Sequence, residues 1–255
     1  MLEVRGWRLD SKSNLQFPTS TDMRYLILSD VHANWEALWA FQQAESKPDA
    51  VLFLGDVVGL GADADRCAAW LKANVTHAIG GDHDAALFDA DELMPGSRVC
   101  CGVDATIDHA AQSLSPVSRD FIAGLPNEQT LQLDNTTFHL THAGPTGLFD
   151  HYDLLSAPKE LVEAEIRDIK ADIVLVGHTH RPGIRQILDK VIVAPGSLGA
   201  PRYGVPDATF AAWTDGTIRV HHLHYDHHTA AHKLAALPLD VSCRETLQQA
   251  LERGM

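Results

Sequence analysis

Apolar positions along this chain fall into short unbroken runs separated by stretches of longer period. Tyr25–Leu28, Val51–Leu54 and Ile173–Val176 are each bounded by Asp, Gly or His, as suits strands buried on both faces. Between them, ANWEALWAFQQAE places Trp35, Leu38, Trp39 and Gln42 on one helical face, with Asn34 as the cap. Strand then helix recurs, which predicts an α/β architecture. Residues 85–125 read as mostly helical, and their Asp-rich character around Pro95-Gly96 predicts a surface excursion lining the approach to a site. After Ile184 the pattern changes. Val191–Ala194, Thr209–Trp213 and Thr217–Tyr225 read as strands, Asp215-Gly216 as a hairpin turn, and SCRETLQQALERG as a closing amphipathic helix. Residues 1–22 carry neither period and read as an extension, a candidate for disorder, ahead of one domain over residues 23–255.

The polar residues are most informative where the runs end. Ser29-Asp30-Val31-His32, Gly55-Asp56, Gly81-Asp82-His83-Asp84, Thr141-His142-Ala143 and Gly177-His178-Thr179-His180 each stand just past an apolar run. An Asp in such a place is usually a helix cap or turn former, so no single loop is diagnostic. His178-x-His180 is sharper, because alternate residues of an extended segment point the same way. Open α/β sheets bind ligands beyond the carboxyl ends of their strands, so these loops are expected to converge.

Charge narrows the function classes. Among 255 residues, 20 Lys and Arg stand against 34 Asp and Glu, a net −14. That balance repels nucleic-acid phosphates and anionic lipid, so neither non-specific nucleic-acid binding nor a membrane partner is expected. Gathered carboxylates also make a cation site, and 15 histidines strengthen that reading. The 4 cysteines show no metal or redox spacing and read as free thiols in a reducing compartment. No apolar run is long enough for a span, and the charged start is unlike a secretory signal, which predicts a cytoplasmic protein.

The ordered loops resemble the motifs of the calcineurin-like metallophosphoesterases: D-x-H, G-D, G-N-H-[DE], a lone His and G-H-x-H. The strings LGDVVGLGAD, DHDAAL, THAGP and APGSLGAPRYGVPDA are similar to the small bacterial and archaeal phosphodiesterase-like branch. Gly59 and Leu60 stand where the protein serine/threonine phosphatases have the Asp and Arg of G-D-x-V-D-R-G. The resemblance implies a four-layer α-β-β-α sandwich of two mixed β-sheets. It further implies two divalent metal ions, the first held by Asp30, His32 and His180, the second by Asp82, His142 and His178, with Asp56 bridging. His83 would protonate the leaving oxygen as general acid, while a hydroxide held by the two ions attacks a phosphodiester or nucleotide-like ester. Imidazole and carboxylate without thiolate suit Mn, Fe, Co, Ni or Zn alike.

Alternatives within the resemblance are a phosphomonoesterase or dinucleoside polyphosphate hydrolase, or a non-catalytic protein-binding scaffold such as the related subunit of the retromer complex. Asp82 departs from the family's usual Asn, keeping a ligand oxygen but losing an amide donor. With Gly59 in place of an orienting Asp, Asp84, Asp63 or Asp65 are candidates to steady His83. Arg202 and Ser197, in the Gly/Pro-rich GSLGAPRYG, are candidate substrate contacts. The His-rich run from His221 to His232 reads as a solvated edge strand rather than a further metal site.

Overall fold

Successive side chains on a strand point to opposite faces, and β1 (Arg24–Leu28) buries both. Tyr25 and Ile27 enter one apolar cluster, Leu26 and Leu28 another. The computed structural model describes residues 23–45, 47–92, 102–144 and 153–255. After β1 come α1 (Trp35–Ala44), β2 (Ala50–Phe53), α2 (Ala64–Asn74), β3 (His77–Ala78), α3 (Asp82–Ala86), α4 (Val103–Ser113) and α5 (Pro116–Ala123). The hairpin β4 (Glu128–Leu133) and β5 (Thr136–Thr141) follows, then α6 (Lys159–Ile166), β6 (Ile173–Val176), β7 (Pro182–Ile187), β8 (Lys190–Pro195), β9 (Ala208–Thr214) and β10 (Thr217–Leu223). Two helices close the described chain, α7 (His227–Lys233) and α8 (Val241–Arg253).

Two five-stranded sheets result, in the orders β10-β9-β1-β2-β3 and β4-β5-β6-β8-β7. Both are mixed. In the first, β1, β2 and β3 run parallel and β9 is antiparallel to β1; in the second, β5, β6 and β8 are parallel and flanked by antiparallel β4 and β7. Ile27, Leu52, Phe138, Leu140, Ile173 and Leu175 fill the space between the sheets. Leu38, Phe41, Leu71, Ile107, Leu234 and Leu247 cover the outer face of the first sheet, while Val162 and Ile166 of α6 cover the second. The layers are helix, sheet, sheet, helix, as expected for this α/β fold. Each fully buried Leu, Ile or Phe contributes about 1.5–3 kcal/mol relative to exposure.

Aromatic packing ties the sheets together. Tyr25 of β1 stacks on Trp213 of β9 at 4.9 Å, and Phe138 of β5 meets Tyr25 edge-on at 6.1 Å. The Tyr25 hydroxyl donates to Asp134 Oδ2 at 2.5 Å, in the turn between β4 and β5. One side chain thereby reaches from the first sheet to the hairpin of the second.

Several local expectations are met. Asn34 accepts from the Ala37 amide at 3.1 Å and caps α1. Asp215 and Gly216 both adopt positive φ, 48° and 76°, joining β9 to β10, as a tight hairpin turn requires. Other expectations need correction. The buried face of α1 is Ala37, Leu38 and Phe41, with Trp35 packed partly buried against the same core; of the expected face, Trp39 is instead 47% exposed, its ring tilted against Trp35, over which Arg66 lies. Residues 102–125 are not a mere surface excursion, since Val103, Ile107, Ala110 and Ile122 join the core over the first sheet. Cys67 is a buried free thiol, but Cys243 is disulfide-bonded, which overturns the expectation of four free thiols; C-x-x-C spacing carries no sign of a longer-range bridge. The extension over 1–22, Pro95-Gly96 and Cys100-Cys101 lie outside the described residues. Among the described residues, no helix is long and apolar enough to cross a membrane.

Candidate metal centre

The strands end on polar loops, and those loops leave by an uncommon route. Asp30 (φ 54°), His32 (47°), Asp56 (62°), His178 (65°) and His180 (57°) all adopt left-handed backbone conformations. For residues with a Cβ this costs about 1–3 kcal/mol each, and it persists only where surrounding contacts over-determine it. Here cross-loop hydrogen bonds do so: the Asp30 amide donates to Gly55 O and the His32 amide to Asp56 O, each at 3.0 Å, and the Gly177 amide donates to His142 O at 2.8 Å. Gly81 permits a close approach to Asp56. A Cβ there would strike Asp56 Oδ1.

These loops bring the expected residues together. Ligand-type atoms of Asp30, His32, Asp56 and His180 lie within 4.8 Å of one another, and so do those of Asp82, His142 and His178. Asp56 stands between the groups. Its Oδ1 accepts from the His83 amide at 3.0 Å, while Oδ2 lies 3.5 Å from His32 Nε2 and 3.3 Å from His142 Nε2. Asp30 Oδ1 is 3.3 Å from His180 Nε2, and Asp82 Oδ1 is 3.2 Å from His178 Nδ1. Donors held about 2.1 Å from a tetrahedral ion are themselves roughly 3.4 Å apart, so these separations suit coordination.

Backbone carbonyls fix how the rings present themselves. His32 Nδ1 donates to Val58 O at 2.9 Å, His142 Nδ1 to Leu54 O at 2.6 Å and His180 Nδ1 to Ala200 O at 2.5 Å. A carbonyl can only accept, so each ring turns Nε2 inward as the ligand atom, the arrangement that orients metal-binding histidines. His32 Nε2 and His180 Nε2 face each other at 3.0 Å. Two lone pairs that close call for a proton or a cation between them. Asp30 Oδ1, Asp56 Oδ2 and His142 Nε2 are likewise buried without a hydrogen-bond partner. The donor set fits divalent metal.

The titration behaviour reflects the same crowding. Burial pushes Asp56 well above the carboxylate range, against His142, with Asp82 and Asp30 adding to the rise. Burial depresses His142, yet Asp56, Asp82 and Asp30 outweigh it and hold the ring well above its ordinary range. Burial drives His32 well below the imidazole value, and His83 and His180 push it further.

His83 sits beside Asp56 and Asp82 and edge-on to His32 at 4.7 Å. Burial pushes its imidazole down to about 4; Asp82 opposes, while His180, His142 and Arg202 lower it further. Its Nδ1 has no hydrogen-bond partner and lies against Gly59, where any Cβ would strike it. The expectation that Asp84 steadies His83 is therefore corrected. Asp84 instead accepts from the amides of Asp56 at 2.9 Å, Val57 at 2.8 Å, Val58 at 3.3 Å and Gly81 at 3.2 Å. Its carboxylate is saturated by the loop carrying Asp56. Asp63 pairs with Lys233 and Asp65 accepts from the Ser115 amide, so neither takes the role.

Ser197 is corrected as a substrate contact. It is fully buried, donates to Asp30 O and accepts from the Ala200 amide, both at 2.8 Å, and so ties the Asp30 loop to residues 196–200. Arg202 is half-buried, with its amide on His180 O at 3.2 Å, and among the described residues no carboxylate pairs with its guanidinium. Its charge reaches His180 and His83, lowering both beyond the effect of burial. Among the described residues the His-rich run forms no metal cluster: β10 is an edge strand, His221 stacks on Phe210, His222 meets the Tyr203 hydroxyl and His224 pairs with Asp207.

Similarity to known proteins follows the geometry. An uncharacterized protein of Methanocaldococcus jannaschii is 24% identical over 229 residues, covering 82% of this chain and 90% of its own. A metallophosphoesterase from Sphaerobacter thermophilus has the same fold, with a TM-score of 0.73 at 22% identity over 90% of this chain and 100% of that one. A hypothetical protein from Pyrococcus horikoshii OT3 superposes with a TM-score of 0.75 at 20% identity over 91% and 99%. The profile of the calcineurin-like phosphoesterase superfamily domain matches residues 23–216, a span that contains every histidine and carboxylate of the two clusters. The chain is therefore a member of the calcineurin-like phosphoesterase superfamily, and so a hydrolase.

Proposed function

We propose that the protein hydrolyses phosphodiester or nucleotide-like phosphate esters at a centre of two divalent ions, with Asp30, His32 and His180 holding one ion, Asp82, His142 and His178 the other, and Asp56 shared. The observation that carries this reading is the placement of Asp56 Oδ2 between His32 and His142, 3.5 Å and 3.3 Å away. When bound, two such ions, Mn, Fe, Co, Ni or Zn, acidify a water and take up charge on the phosphoryl oxygens. The chain supplies the rest. His83, grouped with Asp56 and Asp82 and with no hydrogen-bond partner for its Nδ1, donates to the leaving oxygen. A phosphate anion beside it raises an imidazole held low by burial, so the ring takes up a proton from solvent as the substrate binds and passes it to the leaving oxygen. Arg202 fixes a phosphoryl oxygen.

Asp82 sets the class of ester. A third carboxylate makes the loaded centre one charge less positive than its Asn counterpart, and the loss in attraction scales with substrate charge. Monoanionic diesters suffer less than dianionic monoesters. The deciding measurement is hydrolysis of bis-p-nitrophenyl phosphate with added Mn²⁺, with His83→Ala and Asp56→Asn as controls. Turnover by wild type, lost by at least a hundredfold in both variants, supports the reading. Metal-replete wild type that cleaves no phosphate ester defeats it and leaves the scaffold reading.

A further inference from the structure

Against the loops that support His83 and His180 lies a cavity of about 450 Å³ walled by Leu60, Ala200, Pro201 and Arg202 on one side and by Leu247, Ala250 and Leu251 of α8 on the other. Its first wall belongs to the loops that build the centre. Leu60 follows Gly59, on which the His83 ring rests, and the Ala200 carbonyl holds His180 Nδ1. Its second wall comes from outside residues 23–216, the span of the superfamily domain. The two are fastened together: the Gly204 amide donates to Gly254 O at 2.8 Å, and Gly254 packs against Val205 so closely that a Cβ would strike its carbonyl.

The lining is mostly aliphatic, with Arg202 the one charged side chain, Met255 at its edge and Thr246 and Gln249 toward solvent. Ligand sites are mostly apolar hollows of this size with a few placed polar groups. An extended polyanion would find one guanidinium there, in a chain of net charge −14. An uncharged, largely apolar group of aryl dimensions finds contact on both walls.

We propose that this cavity receives the uncharged organic substituent of the phosphate ester, an aryl or comparably apolar group, while the phosphate rests between Arg202 and the metal centre. The assignment depends on the phosphoesterase reading for the placement of the phosphate and adds what that reading lacks, a contact for the rest of the substrate. Selectivity is then set by α8, a segment the domain profile does not include.

The test uses phenylphosphonate and methylphosphonate, each carrying a single substituent, titrated calorimetrically into the Mn²⁺-loaded protein. Phenylphosphonate should bind roughly tenfold or more tightly, from the apolar area its ring buries. Ala250→Trp and, separately, Thr246→Trp should shrink that ratio towards one by filling the space. Thr246 is exposed, so its replacement leaves the contacts of Leu247 and Leu251 in place, and thermal melts of both variants verify folding. Equal affinity for the two phosphonates, or a ratio that neither substitution changes, overturns the cavity assignment. Cleavage of bis-p-nitrophenyl phosphate by the same preparation judges the phosphoesterase reading separately. If that cleavage occurs and neither phosphonate binds, the cavity assignment alone falls.

Discussion

At the level of single residues, the centre rests on left-handed backbone, a conformation uncommon for any residue with a Cβ although Asp and His tolerate it better than most. The motifs show which residues matter, but not that Asp30, His32, Asp56, His178 and His180 must all take positive φ to aim inward. Asp84 was equally opaque, because the amides it accepts from lie mostly 26 to 28 positions earlier. Asp84→Asn turns one acceptor oxygen into a donor facing those amides. A stability loss of about 1–3 kcal/mol is expected in denaturant titration, with reduced metal retention because the Asp56 loop is released. Arg202→Ala should lower kcat/KM while metal content, read by atomic emission, stays intact; loss of metal instead would assign Arg202 to the scaffold of the centre. Asp82→Asn should shift the kcat/KM ratio of diester to monoester towards the monoester, and an unchanged ratio would refute the charge argument.

At the level of elements, strands buried on both faces were plain from their unbroken apolar runs, and the caps and the Asp215-Gly216 turn from residue type. The hairpin of β4 and β5 was not. β4 reads EQTLQL, and its alternation of exposed and half-buried positions belongs to an edge strand with one modest apolar face. The face of α1 is legible at Leu38 and Trp35 but not at Trp39, which lies on the surface while small Ala37 turns inward. Between helices, Asp65 in the first turn of α2 accepts from the Ser115 amide at 2.9 Å, where α5 begins. Hydrogen bonds from Ser118 and from the Ser115 amide hold its carboxyl below the usual range. A depressed carboxylate stabilises the fold above its unfolded pKa, near 3.9, and loses that contribution as pH falls through the folded value. Melting curves of wild type and Asp65→Asn should therefore differ near neutral pH and converge in acid.

For the whole molecule, the two sheets contribute to each cluster. Loops after β1, β2 and β3 supply Asp30, His32, Asp56 and Asp82; loops after β5 and β6 supply His142, His178 and His180. Metal bound at the centre should consequently clamp one sheet to the other. Ligand at a hundred times its dissociation constant adds about 2.7 kcal/mol to stability, so chelation should lower Tm and re-addition of Mn²⁺ restore it. A Tm indifferent to chelator would argue that the clusters hold no tightly bound ion.

The same division has a kinetic side. Neither sheet alone carries all the residues of either cluster, so a form in which the two sheets are undocked is expected to lack activity. The Tyr25 hydroxyl on Asp134 reports the docking of one sheet on the other. During refolding from denaturant, secondary structure should return first, and the capacity to cleave an ester only with the final closure of the two halves.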